Sequence, residues 1–432
     1  MSRTTVVEAY DRLAAAGYVE SRPRAGVFVA RQRSGPRGER RCPVPRHDPL
    51  AAPHAPELPP GSYDLPLAPG VPAIDRFPSA VWARLFTQLL DSAAERIVGW
   101  GDPRGEWPLR EAIAEYLAAT RGLRCRVEQV IVASGSQPLV ESIVRAAVSP
   151  GDAVWFEEPG DPASRAVLES LRLRPVPIAV DEHGLDVEAG LAAAPDARLA
   201  LVAPSHHYPL GYPMSVDRRW ALVEWAERHG AWIIENEIDA DYRFVSRRRP
   251  ALYALDAAER VIYLGSFNKS LAPGLRVGYA VVPSDLLPRL RILAPTVCVA
   301  TQLLLARFWS SGHLAAHLAL LRDVHARRRE LLVAALERAA PRLLEASPLP
   351  EAGLRLPLRL GRSSSDETIV RACAAAGIKV GRAFSSCYAG PGRVAGITVG
   401  FASTPDQRIR PAAAKLVSII RAAAPAVLRR AV

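Results

Sequence analysis

The chain has little of what marks secreted, membrane-bound or metal-stapled proteins. Its cysteines number five and lie scattered, at Cys42, Cys125, Cys298, Cys373 and Cys387, with no C-x-x-C pair. An odd, dispersed set argues against a disulfide framework and against a zinc site, and it fits a reducing cytosol. No apolar run reaches the length that crosses a bilayer, and the N-terminus lacks a basic-then-apolar leader pattern. The expectation is a cytoplasmic protein with no membrane partner and no metal site. No internal repeat is visible.

Lysine is also scarce beside arginine, yet the formal net charge is +11, from 55 Lys and Arg against 44 Asp and Glu. Charge of this sign is compatible with a merely solvated basic surface. Its distribution points further. Arg3, Arg12, Arg22, Arg24, Arg31, Arg33, Arg37, Arg40 and Arg41 crowd the first tenth of the chain, the place for a nucleic-acid contact. At 432 residues, with 49% hydrophobic and 23% charged residues, the chain suits two or three domains with a sizeable core.

Residues 2–18 read as one amphipathic helix, with Ser2 as N-cap, Val6, Val7, Tyr10, Leu13 and Ala14 at helical spacing, and Gly17 as the stop. Residues 18–21 and 27–29 then read as two short strands around the basic tip Arg22-Pro23-Arg24-Ala25-Gly26. Residues 31–62 are dominated by Arg, Pro, Gly and His and lose apolar periodicity, so they read as a linker. Beyond it, strand-like runs at 129–133, 153–157, 199–203, 232–235, 261–264 and 278–282 alternate with helical stretches. That alternation predicts an α/β fold whose mostly parallel sheet is covered on both faces and binds ligands beyond its carboxyl strand ends. A long helix over 314–339 and a mixed segment to the C-terminus read as a smaller second domain.

The most informative segment is Val261 to Tyr279. A buried-looking strand ends in Gly265-Ser266, Lys269 follows three residues later, and Arg276 comes seven after that, before another strand. A lysine at a strand end can form an imine with an aldehyde cofactor while its neighbours neutralise a phosphate. Ser134-Gly135-Ser136-Gln137, between a strand and a helix expected at 138–147, offers backbone N–H groups and a hydroxyl to the same anion.

These residues resemble the lysine motif of fold-type I aminotransferases, and in particular of the MocR branch of the GntR transcriptional regulators. The resemblance extends to Gly101-Asp102-Pro103-Arg104-Gly105 with Leu109-Arg110, to Ala133–Gln137, to Pro204-Ser205-His206-His207-Tyr208-Pro209 and to Gly400-Phe401-Ala402. It implies a fold-type I aminotransferase domain over 63–432, with a large subdomain over 98–310 and a smaller α+β subdomain over 311–432, preceded by a partial winged helix over 1–30. It implies pyridoxal 5'-phosphate as cofactor, Lys269 as the imine-forming and catalytic lysine, and Ser266 and Arg276 on the phosphate. Gly135, Ser136, Gln137, Tyr208 and Asn236 complete the implied cofactor set. A homodimer is implied as well.

Four positions depart from the family pattern. Asn236 stands where a carboxylate pairs with the pyridine nitrogen, and Glu237 and Asp239 are the nearby acids able to substitute. Ile238 replaces a tyrosine near the phenolic oxygen, Asp161 replaces the aromatic that covers the ring, and Thr398 replaces a carboxylate-binding arginine. The phosphate cup is kept while the catalytic and recognition positions have drifted, so ordinary transamination is expected to be weak or absent.

The N-terminal helix and hairpin resemble the recognition helix and wing of a GntR-type winged helix, which implies DNA contacts by Ser2, Arg3, Thr4, Thr5, Arg24 and Gly26. Arginine can read guanine in the major groove, and a glycine at the wing admits close backbone approach. The family's module has two more helices and a strand ahead of this helix, and about thirty residues alone bury too little to be stable. The expectation is therefore either a misassigned start, with the rest of the module encoded upstream, or a real truncation with a crippled module. Three functions fit: a cofactor-dependent regulator sensing a small amine or amino acid, a pyridoxal-phosphate enzyme with a vestigial DNA-binding segment, and a scaffold with a decayed site. The first is favoured, because Lys269, Ser266 and Arg276 are intact whereas Asn236, Asp161 and Thr398 have changed.

Overall fold

The structure, a computed structural model, describes residues 2–30, 65–238, 242–244, 249–290, 296–345, 347, 349–360, 365–390 and 394–423. The linker expected over 31–62 and the acid Asp239 lie outside the described residues. The chain divides into two compact units, residues 1–52 and 53–432.

In the first unit, helix α1 runs Arg3–Ala15 and the hairpin strands β1 and β2 span Val19–Arg22 and Gly26–Val29. Ser2 caps α1 as expected, its Oγ accepting from the Thr5 N–H at 3.3 Å. The helix ends at Gly17, whose φ of 74° is left-handed. The strands pair antiparallel, Val19 opposite Val29 and Arg22 opposite Gly26, one residue later in the first strand than the sequence suggested. Arg24 at the tip adopts a φ of 64° and Gly26 one of 101°. No described residue of this unit is buried, and Val6, Val7, Tyr10 and Leu13 are all exposed. Its apolar stripe thus has no core of its own, in keeping with the small area that so short a segment can bury.

The second unit is built on an eight-stranded sheet: β3 (Val130–Ala133), β4 (Ala153–Glu158), β5 (Arg174–Asp181), β6 (Gly184–Leu185), β7 (Leu199–Val202), β8 (Trp232–Asn236), β9 (Val261–Ser266) and β10 (Gly278–Val281). The spatial order is β3-β10-β9-β8-β7-β4-β5-β6. Strands β9, β8, β7, β4 and β5 run parallel, while β10 is antiparallel to both of its neighbours. Every residue of β3, β7, β9 and β10 is buried, as a sheet covered on both faces requires. Helices α2 (Ser79–Val98), α3 (Trp107–Arg121), α4 (Ser136–Ala147) and α5 (Pro162–Ser170) are the first four of this unit.

The C-terminal part carries the antiparallel pair β11 (Arg355–Arg359) and β12 (Gly396–Gly400), backed by the helices His313–Ala339, Asp366–Ala375 and Asp406–Ala423. Leu356, Leu358, Ile397 and Val399 point into that core with Ile409 and Leu416. By the period-2 rule the opposite face of this pair presents Arg355, Pro357 and Arg359 beside Gly400, Thr398 and Gly396. A short strap, residues 66–70, lies along its edge. Lys379 N–H donates to the Pro66 carbonyl at 3.0 Å, Gly400 N–H to the Leu67 carbonyl at 2.8 Å, and Leu67 N–H to Thr404 Oγ1 at 2.9 Å. The strap fixes where Gly70 stands.

Candidate cofactor site

Lys269 follows the carboxyl end of β9 by three residues, in the tight segment that Ser266 organises. Ser266 is buried; its Oγ accepts from Asn268 N–H at 3.1 Å and donates weakly to the Val277 carbonyl at 3.4 Å. The lysine side chain reaches Gly70 on the strap, where a Cβ would stand 3.6 Å from both Cε and Nζ. Arg276 is exposed and held at a φ of 52°, a left-handed turn that re-aims the chain just before β10. Its guanidinium lies over the start of α4, with Nη2 3.7 Å from where a Gly135 Cβ would be. Gly135 has a φ of 115° and caps α4 without a side-chain bond. Gly278 packs against this turn, and a Cβ there would meet the Gly135 carbonyl carbon at 2.8 Å. Ser136 is half-buried and Gln137 exposed on the first turn of α4.

A second cluster surrounds Tyr208. Tyr208 is half-buried, and Arg355 lies over its ring with the guanidinium carbon 4.7 Å from the centroid. Burial pushes the Tyr208 phenol up, reinforced by Cys387 and Asp161, while Arg355 and Arg382 pull it down. Burial likewise drives the Cys387 thiol up to about 12. Asp161 is the N-cap of α5, accepting from Ser164 N–H at 3.1 Å and Ser164 Oγ at 2.7 Å. The position expected to cover a ring with an aromatic is thus committed to starting a helix.

Asn236 ends β8, half-buried, with its Oδ1 accepting at 3.5 Å from Ile238 N–H. The nearby Glu237 does not replace it. Glu235 and Glu237 share one face of the strand, where both act on Arg219, and Glu237 also acts on Arg243. Glu235 is buried, accepts from Leu252 and Tyr253 N–H groups, and is driven up by burial and by Glu237. Alternation along the chain puts Asn236 on the other face from Glu235 and Glu237. Thr398 is fully buried, its Oγ1 has no hydrogen-bond partner among the described residues, and a Cβ on Gly381 would meet that atom at 1.9 Å.

Two further features escaped the sequence. Glu157 at the carboxyl end of β4 accepts from Ala203 N–H at 3.1 Å, and burial raises it to about 8. His207 Nε2 donates to the Pro159 carbonyl at 2.9 Å, and burial lowers it to about 3. The relevant signal was present in the Glu-x-Pro-Gly and His-His runs, but only the fold brings them together.

Residues 65–418 match the family described as Aminotransferase class I and II. The probable rhizopine catabolism regulatory protein MocR of Rhizobium meliloti is 36% identical over 391 residues, covering 88% of this chain and 78% of that protein. The chain is a MocR-type regulator of the GntR group with a class I and II aminotransferase domain. YdeL, an HTH-type transcriptional regulator of Bacillus subtilis, is 31% identical to this MocR-type chain over 96% of it and 88% of YdeL. The fold agrees: kynurenine aminotransferase of Pyrococcus horikoshii superposes with a TM-score of 0.74 at 24% identity, over 83% of this chain and 91% of that one.

The family and its fold imply pyridoxal phosphate, and the site passes a direct test of fit. Gly70 and Gly135, both at positive φ, bring bare backbone to within ordinary contact distance of Lys269 and Arg276 respectively. The residue types fit the group: an amine for an aldehyde, and a guanidinium over the N–H groups of a helix start for a phosphate. Asn236, the residue expected at the ring nitrogen, ends β8 with an amide.

In the first unit Ser2 and Thr5 hydroxyls are 3.1 Å apart and engaged with each other in the cap, whereas Arg3, Thr4 and Arg24 are exposed. Among the described residues no helix is long and apolar enough to cross a membrane. They also hold no group of three or more potential metal ligands.

Proposed function

We propose that this regulator binds pyridoxal phosphate at Lys269 and uses the loaded site to sense a small amine or amino acid, altering its hold on DNA. The observation that carries the reading is the convergence of Lys269 on Gly70 and of Arg276 on Gly135 at one end of the sheet. Ser266, Arg276 and the α4 start formed by Gly135, Ser136 and Gln137 take the phosphate; Tyr208 and Asn236 flank the ring. When bound, the cofactor supplies an electrophilic carbon to which an amine can add in place of Lys269. Lys269, freed by such an exchange, would hold a proton at its Nζ, and the buried, uncharged Glu157 and His207 keep the surroundings of Tyr208 from carrying extra charge.

Asn236 sets the limit of this chemistry. An amide on the ring nitrogen gives no negative charge to keep it protonated, so ligand exchange is favoured over electron withdrawal. The aminotransferase scaffold here serves binding. DNA contacts fall to Ser2, Arg3, Thr4, Thr5, Arg24 and Gly26. The functional particle is a homodimer in the cytoplasm; Trp100, 100% exposed, and the exposed Val98 beside it support a second copy covering that surface.

The test is fluorescence anisotropy on a DNA fragment from upstream of its own gene, with the loaded protein, while an amine panel is titrated. An affinity that changes several-fold with one amine, and no longer changes in Lys269→Ala, is expected. DNA affinity indifferent to every amine and to Lys269→Ala would end the sensing proposal.

A further inference from the structure

A cavity of about 280 Å³ lies between the chain segment that follows β8 and the long helix His313–Ala339, and none of the residues assigned to the cofactor lines it. We propose that this cavity is a second ligand site, one that takes a small oxyanion between Arg243 and Arg329. Inorganic phosphate and short carboxylates share that chemistry. The volume falls just under the roughly 300–1,000 Å³ of pockets that hold larger organic ligands.

Both walls are fixed. On one side Phe244 N–H donates to the Glu351 carbonyl at 2.8 Å and Gly353 N–H to the Tyr242 carbonyl at 2.9 Å, so Arg243 bridges to Ala352. On the other, Arg322, Ala326 and Arg329 follow one another at spacings of four and three and share a helix face, the alanine leaving room between the arginines. Arg329 stacks on Phe244, its guanidinium carbon 4.8 Å from the ring centre, and its Nη2 donates to the Pro350 carbonyl at 3.2 Å. Arg243 Nη2 donates to Ser205 Oγ at 2.9 Å. Each guanidinium is thus held at one end. At the other, the Nε–H of each is buried and has no acceptor among the described residues. Buried donors are ordinarily satisfied, and an oxyanion, which only accepts, can take donors from both walls.

Charge supports the same occupant. Glu237 acts on Arg243 and Glu330 on Arg329, but neither forms an ion pair with its arginine. Against Glu237 stand Arg121, Arg219 and Arg249, all of which repel Arg243. The neighbouring acids are engaged elsewhere: Glu351 pairs with Arg249, and Glu235 stands 3.8 Å from Arg219. The rim is mixed, with Arg322 beside Asp323 and Glu330, and all three are exposed, where water screens them. The half-buried Arg243 and Arg329 therefore set the sign of the interior. Burial holds both guanidiniums below their ordinary value, a penalty that an anion between them relieves.

Isothermal titration calorimetry of the cofactor-loaded protein with sodium phosphate, and separately with sodium acetate, tests the site at an ionic strength held constant with sodium chloride. Loading first fills the phosphate place at Arg276, so the added anion reports on the cavity. One saturable site per chain, of millimolar affinity or tighter, is expected for at least one anion. The tighter of the two tells whether the site suits a tetrahedral or a planar oxyanion. Arg243→Gln and Arg329→Gln should each weaken binding about ten-fold or more. Arg329→Lys should restore part of it, because the charge returns without the Nε–H. Glu330→Gln, at the exposed rim, should tighten it by removing a neighbouring negative charge. Thermal melting and cofactor content, compared with wild type, verify that each variant is folded. If both glutamine variants at the arginines fail to fold, the wild-type titration and Glu330→Gln still decide. No saturable binding of either anion by wild type, an affinity unchanged in both Arg243→Gln and Arg329→Gln, or an affinity that Glu330→Gln weakens, overturns the proposal.

Discussion

Glu157 and His207 face each other across 4.0 Å in the interior at the carboxyl end of β4, and burial keeps both uncharged at neutral pH. The arrangement makes stability depend on pH in a definite sense. Glu157 is held at about 8, so the folded chain keeps a proton that the unfolded chain has lost. Its contribution is complete below the unfolded carboxylate pKa and disappears as pH rises through about 8. The slope across that window is roughly 1.4 kcal/mol per pH unit. His207, lowered to about 3, works oppositely: its contribution is present above the ordinary histidine pKa and is lost as pH falls towards 3. Urea denaturation of wild type and Glu157→Gln between pH 5 and 8 isolates the first effect. The wild type should lose stability relative to the variant as pH rises. A difference that stays constant with pH would mean that Glu157 ionises freely inside the fold.

Lys269 should carry the cofactor. Borohydride treatment of the loaded protein should fix the cofactor to a peptide containing Lys269, and Lys269→Ala should lose the visible absorption band. The chain has few other candidates, Lys379 and Lys415, so peptide mapping is decisive. An adduct on either of these would refute the assignment.

How much of this site was legible in the sequence depends on whether the information was local. The lysine segment, the α4 start and the parallel strands were readable because each is a short run with a strong apolar or turn signal. Strand β5 was missed; its Pro175 and Pro177 argue against a strand, and the fold tolerates them there. The pair β11 and β12 was also missed, because register between distant segments has no local signature. Asp161 read as a lost aromatic, while its gain as a helix cap became visible only once α5 was placed. Glu237 looked like a spare acid until strand alternation put it on the Arg219 side.

The DNA contacts divide by chemistry. Arg3, exposed in the first turn of α1, is assigned to a base edge, and Arg3→Ala should cost about 1–3 kcal/mol of sequence discrimination. Arg24, at the hairpin tip, is assigned to the phosphate backbone. Arg24→Ala should weaken binding to all sequences alike and lower the slope of log affinity against log salt by about 1. Anisotropy titrations at several salt concentrations, with specific and scrambled duplexes, separate the two. The assignment fails where Arg3→Ala weakens both duplexes equally.

Asn236 should be the brake on turnover. An aspartate at this position would accept the same bond from Ile238 N–H that the amide oxygen now accepts, so the loop has a reason to keep its shape. What the substitution adds is charge. A carboxylate beside the ring nitrogen raises that nitrogen's pKa and stabilises electron withdrawal into the ring, in a half-buried place where water screens poorly. Neither Glu235 nor Glu237 supplies that charge in wild type, since both face the arginine side of β8. Single-turnover spectroscopy with a panel of amino acids should therefore find slow or absent conversion to the aminated cofactor in wild type. Asn236→Asp should accelerate it about ten-fold or more, a change of about 1.4 kcal/mol in the barrier. The Glu157→Gln variant serves as a control for general loosening of the site. Rapid conversion by wild type, with no gain in Asn236→Asp, would show that the amide is no brake and would move enzymatic turnover ahead of sensing as the use of this fold.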